Sequence, residues 1–370
     1  MADGLNLSRR LRRTPYTDRA EAAGVRGFSV VNHMLLPKAY GRSVEEDYWH
    51  LRAHVQIWDV ACQRQVEIAG PDAARLVQWM TPRAIGRARV GDCLYLPITD
   101  ETGGLINDPV LLKLAEDRFW LSIADSDLLL FAKGLALGAG FDVTIREPDV
   151  APLAVQGPKA EALLAGLFGA HVRDIGFFRF GWIEFAGTRQ LIARSGYSRQ
   201  GGFEIYLEGG QLGGALWDAI WQAGQGFRIA PGCPNLIERI EGGLLSYGNE
   251  MTRDNNPLEI GLGRFCALDG SVDYLGRAAL QRIAADGVAR QIRGVLFDGG
   301  PGPVCAAPWP VMAAGRRIGQ VTSAAWSPRL QRNVGLSLIE RGFWEPGQPV
   351  TVESRDGACR PGEISALPFA

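Results

Sequence analysis

Near residue 290 the chain changes texture, and no other feature constrains its fold as tightly. Upstream, short strands lead through tight turns into helices. Val66-Glu67-Ile68 alternates as a strand, stops at Gly70-Pro71, and hands over to Asp72 at an N-cap position and a helix over 73–80. A strand over 153–155, the turn Gln156-Gly157-Pro158 and a helix over 160–167 repeat the theme. Further strands are expected over 95–98, 105–114, 119–123, 183–185, 191–193 and 203–207, with a hairpin turn over 99–104. A helix is expected from Asp125, another over 212–223, and a third over 235–247 with Leu236, Ile240, Leu244 and Tyr247 on one face. Downstream, helical periodicity vanishes. Strands over 294–297, 319–322 and 334–338 alternate with Pro and Gly turns, which predicts a small antiparallel barrel or sandwich. Strand pairs with helices packed on one side predict an α+β fold for the rest.

At 370 residues the chain exceeds one ordinary core, so we expect domains at 1–140, 141–280 and 281–370. The formal net charge of -1 argues against nucleic acid and anionic membranes as partners. The longest apolar stretch, 128–141, contains Lys133 and falls short of the roughly 20 residues a membrane span needs. The arginines Arg9, Arg10, Arg12 and Arg13 lack an apolar segment behind them and are read as a solvated arm. Six separated cysteines without a CxxC pair suggest reduced thiols and a cytoplasmic protein.

Familiar catalytic motifs fail. His50 and His54 have i,i+4 spacing but no HExxH glutamate and no third ligand, so no metal is expected. There is no dinucleotide fingerprint, phosphate loop or GxSxG elbow. Three polar segments remain. Asp108, in Asn107-Asp108-Pro109, interrupts an apolar run and reads equally as a functional carboxylate or a turn aspartate. In the glycine-rich segment 194–206, Tyr197 is suited to stacking on a flat ring and Glu204 to pairing with an aminopyrimidine edge, or both belong to a plain hairpin. Arg239 has the fork to grip a carboxylate, of a ligand or of another element.

Together these segments resemble the aminomethyltransferase family, typified by the T-protein of the glycine cleavage system. The resemblance rests on Gly104-Leu105-Ile106-Asn107-Asp108, Arg194-Ser195-Gly196-Tyr197 through Phe203-Glu204-Ile205, the Arg239 helix ending in Tyr247-Gly248, and Asn256-Pro257-Leu258-Glu259-Ile260-Gly261-Leu262-Gly263. It implies a three-domain cloverleaf with a C-terminal antiparallel β-barrel and tetrahydrofolate in a central hole. It also implies Asp108 as the catalytic carboxylate, with Tyr95, Tyr197, Glu204, Arg239 and Tyr247 at folate-contacting positions. Asn107-Asp108 replaces the family's paired aspartates, and Ile123-Ala124-Asp125 stands where the T-protein carries an asparagine; both departures argue against glycine cleavage.

The segments Arg12-Arg13-Thr14-Pro15-Tyr16, Asn32-His33-Met34-Leu35-Leu36-Pro37, His54-Val55-Gln56-Ile57-Trp58-Asp59 and Gly232-Cys233-Pro234-Asn235 are similar to the dimethylsulfoniopropionate demethylases. That likeness implies methyl transfer from a small-molecule sulfonium to tetrahydrofolate, with Ser122, Trp182 and Tyr206 in the donor pocket. Val31 and Tyr197 stand where that group has tyrosine and tryptophan. Alternatives therefore stay open: demethylation of a betaine, methylated amine or methoxyaromatic, or folate binding without transfer. The sequence permits a homodimer without demanding one.

Overall fold

The computed structural model describes residues 8–369, and their elements form a mixed α+β fold with a C-terminal antiparallel barrel. The chain divides into two compact units, each assembled from separated stretches. The first unit comprises the chain up to Val77, Arg87–Tyr95 and Pro109–Asn235. The second comprises Gln78–Gly86, Leu96–Asp108 and the chain from Leu236 onward.

Two large sheets build most of the first unit. One orders its strands Phe180–Phe185, Thr188–Ala193, Gly202–Glu208, Val150–Gln156, Val55–Asp59 and Ile229–Gly232, antiparallel except for the last pair. The other orders Thr144–Arg146, Gln65–Ala69, Arg118–Ser122, Val110–Ala115 and Cys93–Tyr95, antiparallel throughout. Helices Ala160–Phe168 and Gly213–Ala223 cover the first sheet through Leu163, Leu164, Leu216 and Ile220, which meet Phe203, Ile205 and Leu207. The opposite face of that sheet meets the second sheet through Leu112, Trp120, Leu191 and Tyr206. The strand Gly202–Glu208 is therefore covered on both faces, and every residue from Phe203 to Leu207 is buried. That arrangement forces Glu204 into an apolar layer.

In the second unit a closed barrel runs Arg290–Phe297, Arg332–Glu340, Arg316–Ser327, Trp309–Ala313, Pro349–Glu353 and Cys359–Ser365. Val295, Phe297, Val311, Val321, Val352 and Ile364 fill it. Ile240 of the short helix Leu236–Glu241 packs on its outside with Ile292, Val334, Leu336 and Phe369. Among the described residues, no helix is long and apolar enough to cross a membrane.

Three elements differ from expectation. The strand expected over 95–98 splits into Cys93–Tyr95 and Ile98–Thr99, because Pro97 has no N–H to continue a ladder. The strand over 105–114 splits into Leu105–Asn107 and Val110–Ala115 around Asp108-Pro109 for the same reason. The helix over 235–247 lasts only from Leu236 to Glu241; Gly242-Gly243 stops it, with Gly243 at φ 64°, a left-handed conformation that terminates helices. The hairpin Gly27–Val31 to Met34–Ala39 was not foreseen; it turns at Asn32-His33, both at positive φ.

Candidate functional site

On the strand Gly202–Glu208, Glu204 and Tyr206 share a face because side chains repeat every two residues. Glu204 is 6% exposed, and its Oε2 accepts a hydrogen bond from the Ser195 hydroxyl and a second from the Tyr206 hydroxyl at 3.4 Å. Burial raises the Glu204 pKa, while the two hydroxyl donors oppose that rise. Burial, followed by the charge of Glu204, holds the Tyr206 phenol well above its usual range, so it remains a proton donor.

Ser122 closes the strand Arg118–Ser122 and lies directly opposite Gln65 in the ladder. Gln65 Nε2 donates to the Gln63 carbonyl (2.7 Å) and to Ser122 Oγ (3.1 Å), and the Ser122 hydroxyl opposes the rise of the Tyr206 pKa. Three residues chosen from the sequence thus enter two buried sets of hydrogen bonds, Glu204 with Tyr206 in one and Ser122 in the other. Their partners, Gln65 and Ser195, were not singled out. Their roles depend on partners 57 and 9 residues away.

Trp182 reaches the apolar cluster of Tyr206, but Arg189 lies over its ring at 4.4 Å and Phe180 meets it at 6.1 Å. Tyr95 ends its strand opposite Val110, and Tyr197 lies in the connection before Gly202; both are half-buried. The glycines flanking Tyr197 serve packing. A Cβ on Gly196 would lie 2.1 Å from Gln156 Oε1, and one on Gly202 would lie 2.4 Å from the Val155 carbonyl. The side chain of Gln156 fills that space and donates to the Ser195 and Phe203 carbonyls.

The second unit gathers Asp108, Tyr247 and Arg239. A tight turn presents Asp108: the Asp100 carboxylate accepts from Thr102 N, Thr102 Oγ1 and Gly104 N, closing the hairpin whose second strand ends at Asn107. Leu105 N–H is held by the Asn255 carbonyl, so the Asn256-Pro257 motif begins beside this hairpin. Tyr247 donates to the Leu105 carbonyl at 2.9 Å. Burial and then the charge of Asp108 push its phenol up to about 12. Asp108 itself is half-buried.

Arg239 is buried, and the carboxylate it grips is Glu250, at 2.7 Å. Arg239 also donates to Ser323 Oγ (2.6 Å) and the Leu244 carbonyl (3.1 Å), while Glu250 also accepts from Ser246 N and Ser323 Oγ. His50 is bonded to the Arg228 carbonyl and His54 to Lys159 Nζ.

Residues 16–270 match the GCVT N-terminal domain, and residues 290–370 match the glycine cleavage T-protein C-terminal barrel domain. The chain belongs to the glycine cleavage T-protein family. This T-protein family member is 53% identical over 350 residues to the dimethylsulfoniopropionate demethylase DmdA of Ruegeria pomeroyi, covering 95% of each chain. It is 32% identical to the aminomethyltransferase of Streptomyces coelicolor, covering 98% of each. Its fold matches the glycine cleavage system aminomethyltransferase T of Bartonella henselae with a TM-score of 0.87 at 25% identity, covering 97% of this chain and 98% of that one. The T-protein family is one of transferases that use tetrahydrofolate as cosubstrate.

Proposed function

We propose that this chain moves a methyl group from dimethylsulfoniopropionate, or a closely similar sulfonium carboxylate, to tetrahydrofolate. The observation that carries this reading is the 53% identity over 95% of both chains with a dimethylsulfoniopropionate demethylase. These buried hydrogen-bonding groups suit both ligands. Glu204 offers two carboxylate oxygens to the paired N–H donors of an aminopyrimidine edge. Ser122 and Tyr206 offer hydroxyls to a ligand carboxylate.

Tetrahydrofolate supplies the nucleophilic N5 that accepts the methyl. A sulfonium is already a good leaving group, so the residues bind, orient and exclude water rather than activate the donor. Asp108 orients the acceptor and takes up the proton released at N5. Tyr247 stays protonated and fixes the hairpin that ends at Asp108. Arg239 acts through Glu250, holding the 244–251 segment that carries Tyr247. Tyr95 and Tyr197 lend aromatic edges to the acceptor, and Trp182 lends aromatic surface for an onium.

Val31 and Tyr197, which depart from the sulfonium pattern, favour a second reading with a different methyl donor. A donor panel separates the two. Anaerobic incubation with tetrahydrofolate and, in parallel, dimethylsulfoniopropionate, glycine betaine and a methoxyaromatic acid is followed by mass. Formation of 5-methyltetrahydrofolate with the sulfonium alone is expected; product from betaine alone would replace the first reading with the second.

A further inference from the structure

Two arginines converge on one aromatic ring in the second unit. Arg264 belongs to the short turn Gly263–Phe265, and its guanidinium carbon lies 4.8 Å from the centroid of the Phe265 ring. Arg83, distant in sequence, places its own guanidinium over the same ring, also at 4.8 Å. The backbone brings the two segments together: Ala267 N donates to the Pro82 carbonyl and Leu275 N to the Trp79 carbonyl, each at 2.8 Å. Aromatic faces attract guanidinium groups, so Phe265 fixes the planes of both forks.

Like charges held on one ring repel, and the neighbouring acids do not offset them. Glu259 and Asp269 flank this turn in sequence, but Glu259 pairs with Arg290 (3.2 Å) and Asp269 accepts from Ser271 N (3.0 Å). Burial, followed by the charge of Arg264, lowers the Arg83 pKa, yet a guanidinium stays charged in a protein. Arg264 is exposed and forms no salt bridge among the described residues. A ligand with more than one carboxylate suits such a pair, because each planar fork takes one carboxylate through paired N–H bonds.

The pair is tied to the hairpin that presents Asp108. Thr81 Oγ1 accepts from Arg83 N (3.2 Å) and donates to the Pro97 carbonyl (2.7 Å), and the next residue, Ile98, faces Asn107 across the hairpin. Asp108 and the arginines therefore sit on one frame but not at one point. A folate has the same polarity, with the reacting N5 at one end and the glutamyl carboxylates at the other.

We propose that Arg83 and Arg264 bind the glutamyl end of the methyl acceptor, and that the preferred acceptor is a tetrahydrofolate carrying several γ-linked glutamyl residues. One glutamyl residue supplies two carboxylates, and every further one adds a negative charge and reach. The proposal rests on the methyl-transfer reading above.

Calorimetry without air, using tetrahydrofolates with one and with three glutamyl residues, tests it. The three-glutamyl form is expected to bind the parent protein about tenfold tighter at low salt, an advantage that shrinks as ionic strength rises. Arg264→Gln should cut the advantage to about threefold, and adding Arg83→Met should remove it. Arg264 is exposed, so the single variant decides should the double one fail to fold. Arg317→Gln, on the barrel strand Arg316–Ser327, removes the same charge elsewhere and should leave the advantage unchanged. Inorganic phosphate, compared with chloride at equal ionic strength, should also leave it in place. Equal affinities for the two folates in the parent, an undiminished advantage in Arg264→Gln, an equal loss in Arg317→Gln, or its loss to phosphate would overturn the assignment. If neither folate binds the parent, the methyl-transfer reading falls instead, and this proposal with it.

Discussion

Arg239 and Glu250 form a buried ion pair at 2.7 Å, in which the Glu250 side chain is 0% exposed and the Arg239 side chain 6%. The pair secures the segment after the helix Leu236–Glu241 to the barrel through Ser323. Removing one partner strands a buried charge, whereas replacing both by apolar groups does not. Arg239→Met is expected to lower stability by about 3–5 kcal/mol, and adding Glu250→Leu should recover much of it. Denaturant unfolding of the two variants checks this; a double variant as unstable as the single one contradicts it.

Asp59 offers a pH test confined to the first unit. It is 1% exposed, accepts from Thr14 Oγ1 (2.5 Å) and Ala61 N (3.2 Å), and burial lifts its pKa from 3.8 to about 7. Because the folded value is raised, its stabilising contribution is fully present below about 4 and is lost as pH rises through about 7. Asp59→Asn copies the protonated form. Its Tm should lie near the parent at about pH 3.5 and above it at pH 8, by an amount on the order of a few kcal/mol in stability. Parallel Tm profiles for the two proteins would refute the assignment.

Glu204→Gln tests the pterin contact. It preserves shape but turns an NH2 toward the ligand's own N–H donors, so tetrahydrofolate affinity should fall by roughly 10- to 100-fold with Tm nearly unchanged. Calorimetry and thermal unfolding together read this, and unaltered affinity would remove Glu204 from the site.

Gly202→Ala tests whether the glycines serve packing. Its Cβ would meet the Val155 carbonyl at 2.4 Å, with φ at 141° where side chains are strained, so a loss of about 2 kcal/mol or more is expected. A stable variant that binds folate poorly would place this glycine against the ligand instead.

Much of this architecture is legible in the sequence, because alternation and turn residues act locally. The helices after Asp72 and Lys159 and three of the six barrel strands follow from such patterns. The strand breaks were also readable in principle, since Pro97 and Pro109 remove donors wherever they stand. Gly242-Gly243 likewise outweighs the apolar stripe reaching Tyr247. Non-local pairings are different. Nothing in the local sequence of Gln65 points to Ser122, and Gln156 filling the space over Gly196 and Gly202 emerges only when three strands align. The fork of Arg239 is visible in sequence, but its commitment to Glu250 depends on how the chain folds back after Gly243.

The central claim is methyl transfer from a sulfonium to tetrahydrofolate with Asp108 as the catalytic carboxylate. Anaerobic incubation of the parent protein and Asp108→Ala with tetrahydrofolate and dimethylsulfoniopropionate, followed by mass, tests it most directly. The account predicts 5-methyltetrahydrofolate and methylmercaptopropionate in equal amounts from the parent. Asp108→Ala should be slower by about 10²- to 10⁴-fold while still binding tetrahydrofolate. No product from a parent protein that binds both ligands, or an undiminished rate in Asp108→Ala, would contradict it.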